Sequence, residues 1–308
     1  MQLLAIGECM IEMSGGQENS WRMGFAGDTL NTLWYARAGL DPAKGPVGYF
    51  TALGTDGFSD RIVSFLEAGG IATGAIRRLS DRRPGLYMIE QKDGDRAFTY
   101  WRETSAARCL ADDEATLLAA MAGARMIYLS GITLGILSRE ARDRLMRSLR
   151  AARAEGATIA FDPNIRPMLW PDPQEMRAAI MVTAGLSDIV LPSFDDEARW
   201  FGDADPAACA RRYRDAGAGE VAVKDGGAPV TLSHHDIPQT FPVEASAAPT
   251  DATGAGDSFN GAYLAARLQG ASAEDATKAG IAMAARVISA HGAIIELPEA
   301  SRWLGRSA

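Results

Sequence analysis

Cysteine and histidine are scarce, with three of each in 308 residues. Cys9, Cys109 and Cys209 stand far apart and form no Cys-x-x-Cys pair, which leaves neither a disulfide framework nor a thiolate zinc site and points to buried or idle thiols. His234 and His235 are adjacent in a turn before Pro238. Successive side chains on a strand point to opposite faces, so no histidine metal centre is expected from this pair or from His291. Long apolar runs are missing as well. A membrane span needs roughly 18–20 apolar residues, and the best uncharged stretch, residues 126–138, is shorter and carries Ser130, Gly131 and Thr133. The N-terminus, MQLLAIGECMIEM, lacks a basic leader and reaches Glu8 early, so it does not read as a secretory signal, and a cytoplasmic location is expected. Positive charge is in deficit: 31 Lys and Arg against 39 Asp and Glu leave a net charge of -8. The mean surface field repels phosphate polymers and anionic membranes, so neither nucleic acid nor a membrane is an expected partner. A small anionic ligand would need a local cluster of Arg, Lys or backbone N–H groups.

What is present is ordinary globular usage, 47% hydrophobic and 23% charged, which excludes disorder, collagen-like repeats and coiled coil. At about 150 residues per domain, the length allows two domains or one large α/β domain with an appendage. Residues 3–6, 126–129, 158–161, 188–191 and 220–223 are short apolar runs bounded by Gly, Asp or Pro, and read as buried strands. Helical patterns over 138–155, 173–184 and 206–216 lie between them, the first and last stopped by Gly156 and Gly217. Strand and helix in alternation imply a mainly parallel sheet covered on both faces, with ligands at the carboxyl ends of the strands. Residues 85–101 differ. Leu86, Met88, Phe98 and Tyr100 alternate around a Lys92-Asp-Gly-Asp95 turn, the pattern of a β-hairpin. With residues 8–27 it forms a small sheet standing off the main body, whose aromatics call for cover as a ligand lid or a dimer contact.

The stretch Asp251-Ala-Thr-Gly-Ala-Gly-Asp257 leads into a helix over about 256–269. Gly254 and Gly256 permit a tight turn, and the unpaired N–H groups of the helix start form an anion hole. Asp257 stands beside that hole, placed to accept a proton from a substrate hydroxyl, as phosphoryl transfer to an alcohol requires. The competing reading is a Gly-rich turn in which Asp251 or Thr253 only caps the helix. No GxxxxGK[ST] motif is present, and Phe259 occupies the third Gly of a dinucleotide fingerprint.

As a whole this stretch resembles the C-terminal signature of the ribokinase-like (PfkB) carbohydrate kinases, with Ala252 as a departure. Ala26-Gly27-Asp28-Thr-Leu-Asn31 resembles the N-terminal signature, with Ala26 in place of its first Gly. Within the family, several segments look like the members that phosphorylate 2-keto-3-deoxy-D-gluconate rather than ribokinase or fructokinase. They are Gly7-Glu-Cys-Met-Ile-Glu12, residues 27–31, Thr51-Ala-Leu-Gly-Thr-Asp56, Pro84-Gly-Leu-Tyr87, Tyr100-Trp-Arg102, Tyr128-Leu-Ser-Gly-Ile132 and Gly292-Ala-Ile-Ile295. The resemblance covers nearly the full length. It implies one catalytic domain over 1–308, a three-layer α/β/α fold with a mainly parallel sheet, and a β-lid formed by about 8–27 and 85–102.

It also implies ATP-dependent phosphorylation of the sugar acid at its terminal hydroxyl, giving the 6-phosphate, with Asp257 as base and Gly254, Ala255 and Gly256 as the anion hole. Gly27, Asp28 and Asn31 would meet the sugar hydroxyls, with Tyr87, Tyr100 and Arg102 closing over them and Arg166 reaching the acidic end. The two arginines would supply the positive cluster that the net charge demands; the plainer readings are a solvated charge for Arg102 and a salt bridge for Arg166. Asn164, Ser193, Lys224 and Gly226, with Gly254 and Gly256, would serve ATP. Lys224-Asp-Gly226-Gly227 is otherwise a strand-to-strand turn. Asp196 or Glu197 would order Mg2+ through water, an acidic helix N-cap being the alternative. A helix over 272–290 with Ala279, Ala282 and Ala285 would flank adenine. The resemblance further implies a monovalent cation such as K+ near Asp251 and Thr253, and the aromatic hairpin points to a homodimer. The rivals are another sugar kinase of the family such as a fructokinase, a non-catalytic sugar-binding regulator and a nicotinamide-dependent oxidoreductase.

Overall fold

Runs in which every residue is apolar can only be strands covered on both faces, and this is how the centre of the molecule is built. A computed structural model describes residues 1–15, 20–92, 95–235, 237–243 and 251–295. Nine strands form the large sheet, in the spatial order β15 (Gln239–Phe241), β14 (Ala228–Ser233), β13 (Glu220–Asp225), β12 (Ile189–Val190), β11 (Thr158–Asp162), β10 (Met126–Ser130), β1 (Leu3–Ile6), β4 (Val47–Phe50) and β6 (Ile71–Ala72). From β13 to β6 all pairings are parallel, with Leu3 opposite both Met126 and Val47, whereas β14 and β15 add antiparallel. Alternation along the strands divides the core. Leu4, Ile6, Ile127, Leu129 and Phe161 face the layer that holds the helix Arg139–Ala154. Leu3, Ala5, Met126, Tyr128 and Ala160 face the layer of Asp28–Gly39 and Ala255–Leu268. The three-layer α/β/α fold expected from the sequence is the fold observed.

The expected elements shift only at their ends. The helices are Arg139–Ala154, Pro173–Leu186 and Pro206–Asp215; Asp172 and Asp205 cap the latter two, each followed directly by Pro, whose missing N–H is one the first turn leaves unpaired. The 188–191 strand contracts to Ile189–Val190, because the Asp188 carboxylate is engaged by the Ile159 N–H at 2.8 Å and by Arg153. Gly226 and Gly227 join β13 to β14, so this turn is the strand-to-strand connection that the sequence allowed.

A second sheet has the order β3 (Trp21–Ala26), β2 (Met10–Gly15), β8 (Leu86–Lys92) and β9 (Asp95–Trp101), and β5 (Ala52–Gly54) pairs with β7 (Arg77–Leu79). The chain passes from β1 to β2 through Gly7-Glu8-Cys9, which roots the small sheet at the carboxyl end of the large one. The hairpin of β8 and β9 matches expectation, with its turn residues 93–94 and residues 16–19 of the other segment lying outside the described residues.

One expectation fails. His234 and His235 follow the last residue of β14 at a bend, and their rings lie side by side with centroids 3.8 Å apart, since the chain has already left the extended conformation that would send them to opposite faces.

Candidate active site

Two cavities meet at the carboxyl ends of the central strands. The larger, about 860 Å³, is walled by strand ends, the small sheet and the loop that opens the helix Ala255–Leu268. The smaller, about 470 Å³, lies between that helix, the Gly226–Gly227 turn and the helix Ala273–Val287. Ser193, Lys224, Ala252 and Gly256 line both.

Gly254 caps the helix in the left-handed conformation, φ 76°, and a Cβ there would come within 2.7 Å of the Ala293 carbonyl oxygen, so the turn requires glycine. Among the described residues no side chain caps this helix. The Ala255 N–H reaches the Ala252 carbonyl at 3.2 Å, and Ala255 lines only the smaller cavity. The N–H groups of Gly256 and Asp257 are thus the ones a helix start leaves for an anion, and Ala255 belongs to the turn rather than to the hole.

Asp257 lies on the cleft wall and accepts a 2.8 Å bond from Asn31 Nδ2. Its carboxyl is pushed up to about 7, chiefly by burial and then by the charge of Asp28; the Asn31 bond and the Lys224 ammonium act the other way. A carboxyl so placed exchanges protons near neutrality. Gly27 starts the Asp28–Gly39 helix pressed against the chain leaving β1, where a Cβ would lie 2.1 Å from the Glu8 carbonyl oxygen; this contact brings Asp28 and Asn31 to the cleft. Burial raises the Asp28 carboxyl, opposed by hydrogen bonds from Ser130 and Asn164. Asn164 Nδ2 donates to Asp28 at 2.7 Å. Among the described residues Asn164 is the one non-glycine with positive φ, 31°, held by its N–H on Asp162 at 2.9 Å. It was expected beside ATP; it lies in the larger cleft, where the backbone twist aims its amide at Asp28.

Lys224 is the charged centre of the junction. Its Nζ donates to Asp162 at 2.8 Å and to Asn260 at 3.0 Å, and Asn260 closes the triangle on Asp162 at 2.6 Å. All three are buried.

Phe98 and Tyr100 stack on the cleft side of the small sheet, with the Tyr87 ring tilted against both. Arg102 is not a solvated charge: it is buried, its guanidinium engages Glu8, and its Nε has no hydrogen-bond partner among the described residues. Glu8, itself 1% exposed, also accepts from Ser105 at 2.5 Å. Arg166 is half-exposed and lies 3.4 Å from Asp196, so the salt bridge allowed for it is present on the cleft wall. Of the two acids considered for Mg2+, Asp196 lines the cleft, with its carboxyl raised by burial and lowered by Arg166. Glu197 does not. It points into the core and accepts from Arg212 at 2.7 Å and from Tyr213 at 2.9 Å, with burial pushing it up to about 7. Helical rotation explains the difference, since successive side chains lie about 100° apart and only one can face the cleft. Gly226 lines the smaller cavity alone, Ser193 both.

Sequence reading did not assign a site role to Glu8, Asp162 or Asn260, or to the apolar lining Val230, Phe259, Ile281 and Ile288. Glu8 and Asp162 each follow, within two residues, a run read as a buried strand, 3–6 and 158–161, a signal that points to strand ends; the apolar residues carry none, because core and pocket lining look alike in sequence.

A model of the pfkB family carbohydrate kinases matches residues 1–300. The 2-dehydro-3-deoxygluconokinase of Dickeya dadantii is 41% identical over 95% of this chain and 96% of its own. The protein of the same description from Escherichia coli is 40% identical over 96% and 97%. An Escherichia coli protein described as a ribokinase II, solved with ATP and Mg2+, superposes with a TM-score of 0.81 at 25% identity, over 95% of this chain and 94% of that one.

Proposed function

The chain belongs to the pfkB family of carbohydrate kinases, and from that membership we propose that it transfers the γ-phosphoryl group of ATP to the terminal hydroxyl of 2-keto-3-deoxy-D-gluconate, giving the 6-phosphate. The observation that carries the reading is the position of Asp257, beside free helix N–H groups where the polar cleft meets the apolar cavity. Adenine fits the smaller cavity between Val230 and the Ile281–Ile288 face, with the phosphates directed at Lys224 and the Gly256 N–H. The sugar acid occupies the larger cleft. Gly27, Asp28 and Asn31 meet its hydroxyls, Tyr87 and Tyr100 cover it, and Arg102 and Arg166 read its carboxylate. Arg102 offers a buried Nε that has no hydrogen-bond partner among the described residues.

In the transfer, Asp257 takes the hydroxyl proton as the oxygen bonds to the γ-phosphorus, and the bond from that phosphorus to the bridging oxygen of ADP breaks. The Gly256 and Asp257 N–H groups and Lys224 stabilise the charge on the transferring group. Mg2+, when bound, neutralises phosphate charge, and Asp196 is the acid placed to order its water shell. We read the whole chain as one catalytic unit with the small sheet as its lid, closing on the sugar to exclude water. A monovalent cation near Asp251 and Thr253, a homodimer through the small sheet, where Trp101 is exposed, and a cytoplasmic site for three free thiols complete the proposal. No helix of the described residues is long and apolar enough to cross a membrane.

The test is ADP release with ATP and Mg2+ against 2-keto-3-deoxygluconate, its galactonate epimer, fructose, ribose and gluconate. Turnover confined to the keto-deoxy acids is expected. Turnover on neutral sugars alone would overturn the substrate, and ADP release with none of them would overturn the activity.

A further inference from the structure

At the end of β14 opposite the Gly226–Gly227 turn, beside the first turn of the helix Ala273–Val287 and outside the lining of both cavities, three metal-ligating side chains converge. We propose that His234, His235 and Glu274 form a binding site for one divalent transition-metal ion that prefers nitrogen and oxygen donors, such as Zn2+ or Ni2+. One ligand atom from each lies within 4.8 Å of the others. His234 Nε2 is 2.9 Å from Glu274 Oε1, and the two imidazole rings are 3.8 Å apart at their centroids. Donors around a tetrahedral zinc ion are about 3.3 Å apart, so the three atoms need to move only by tenths of an ångström to about an ångström. The site is open on the His235 side, which is exposed, leaving room for the water that completes four-coordination.

The fold explains why the three meet. The chain bends directly after β14, so adjacent histidines turn to the same side, and Ser272 caps the helix Ala273–Val287 so that Glu274 stands in its first turn facing them. The ligand chemistry separates this site from the catalytic one: two imidazoles and a carboxylate suit zinc or nickel, whereas Mg2+ takes oxygen donors. A bound ion would fasten the end of β14 to the helix whose Ile281 and Ile288 line the smaller cavity, and so stiffen one wall of that cavity.

The test is calorimetric titration of the whole protein with ZnCl2 in excess MgCl2, alongside His235→Ala and Glu274→Gln, neither of which belongs to the proposed catalytic machinery. Wild type should take up one Zn2+ per chain and unfold at a higher temperature with it, by mass action on the folded state. Each variant should lose affinity by more than the roughly tenfold that loss of an outer-shell partner costs. Unchanged metal-free melting and unchanged ATP binding in the variants show that the loss is local. The proposal is overturned if wild type binds no Zn2+, or if all three proteins bind it alike, which would place the ion on the thiols or in the acidic cleft.

Discussion

The two cavities that share Lys224 and Gly256 are built on opposite principles. The larger is a convergence of charges from distant segments: Glu8 after β1, Asp28 at a helix start, Arg102 after β9, Asp162 at the end of β11 and Asp257 at the opening of another helix. Two of these carboxylates are compensated by a cation, Glu8 by Arg102 and Asp162 by Lys224, whereas Asp28 and Asp257 accept amide hydrogen bonds from Asn164 and Asn31. The smaller is mostly side-chain carbon on two neighbouring helices and a hairpin. The difference teaches where selectivity resides. A buried polar group left without its partner is costly, so the polar cleft can reject a wrong ligand strongly, while an apolar slot discriminates by a few methylenes.

The sharpest break in that contrast is Asp257→Asn. Turnover should fall by about 10²–10⁴, the usual worth of general base catalysis, while calorimetry shows sugar binding retained; binding lost in parallel would make Asp257 structural. The same variant should melt at a higher temperature at neutral pH. The folded-state value near 7 lies above the carboxyl's ordinary 3.8, so protonation stabilises the native state below that range, and this contribution is lost as pH rises through about 7.

Next in size is Lys224→Met. It leaves Asp162 buried without its cation and should cost about 3–5 kcal/mol of stability by denaturant unfolding, together with most of the turnover. Stability within error of wild type would show that the junction charge belongs to phosphate alone.

Arg102→Ala should raise KM for the keto-deoxy acid by about 10–100-fold, the worth of a charge-assisted bond of about 1.5–3 kcal/mol. KM for ATP should stay unchanged. A KM that does not move would reassign carboxylate recognition to Arg166.

Asn31→Ala addresses the base through its proton. The Asn31 amide favours the charged carboxylate, so its removal should move the acid limb of the kcat/KM profile above the wild-type position near 7, and a limb moving downward would contradict the hydrogen bond at 2.8 Å. The smallest effect is expected in the apolar slot. Ile281→Ala should raise KM for ATP by several-fold, in keeping with about 1 kcal/mol of lost apolar contact, and leave the sugar untouched.

Much of this architecture is readable in the chain. The strand and helix runs differ from the observed elements only by a few residues at their ends, because full burial and helix capping are local signals. Gly254, Gly256 and Asp257 were legible for the same reason, since a helix start and its glycine turn lie within a few residues of each other. Arg102 was legible as a charge but not as the partner of Glu8, 94 residues away. Asp196 and Glu197 were indistinguishable because only the rotation of their helix sends one to the cleft and the other to Arg212. The histidine pair was legible as a turn before Pro238, but only the folded chain shows that the bend after β14 brings both rings to the same side.

By itself, then, the sequence determined through periodicity a mainly parallel sheet covered on both faces, through spacings of a few residues the glycine turn that precedes Asp257, and through the resemblance of its motifs the family. Only the tertiary structure decided which charges pair, which of two neighbouring acids faces the cleft, and where the polar and apolar cavities meet. Those outcomes depend on contacts between segments far apart in the chain, and the energy of a buried charge is set by the partner that the fold brings to it.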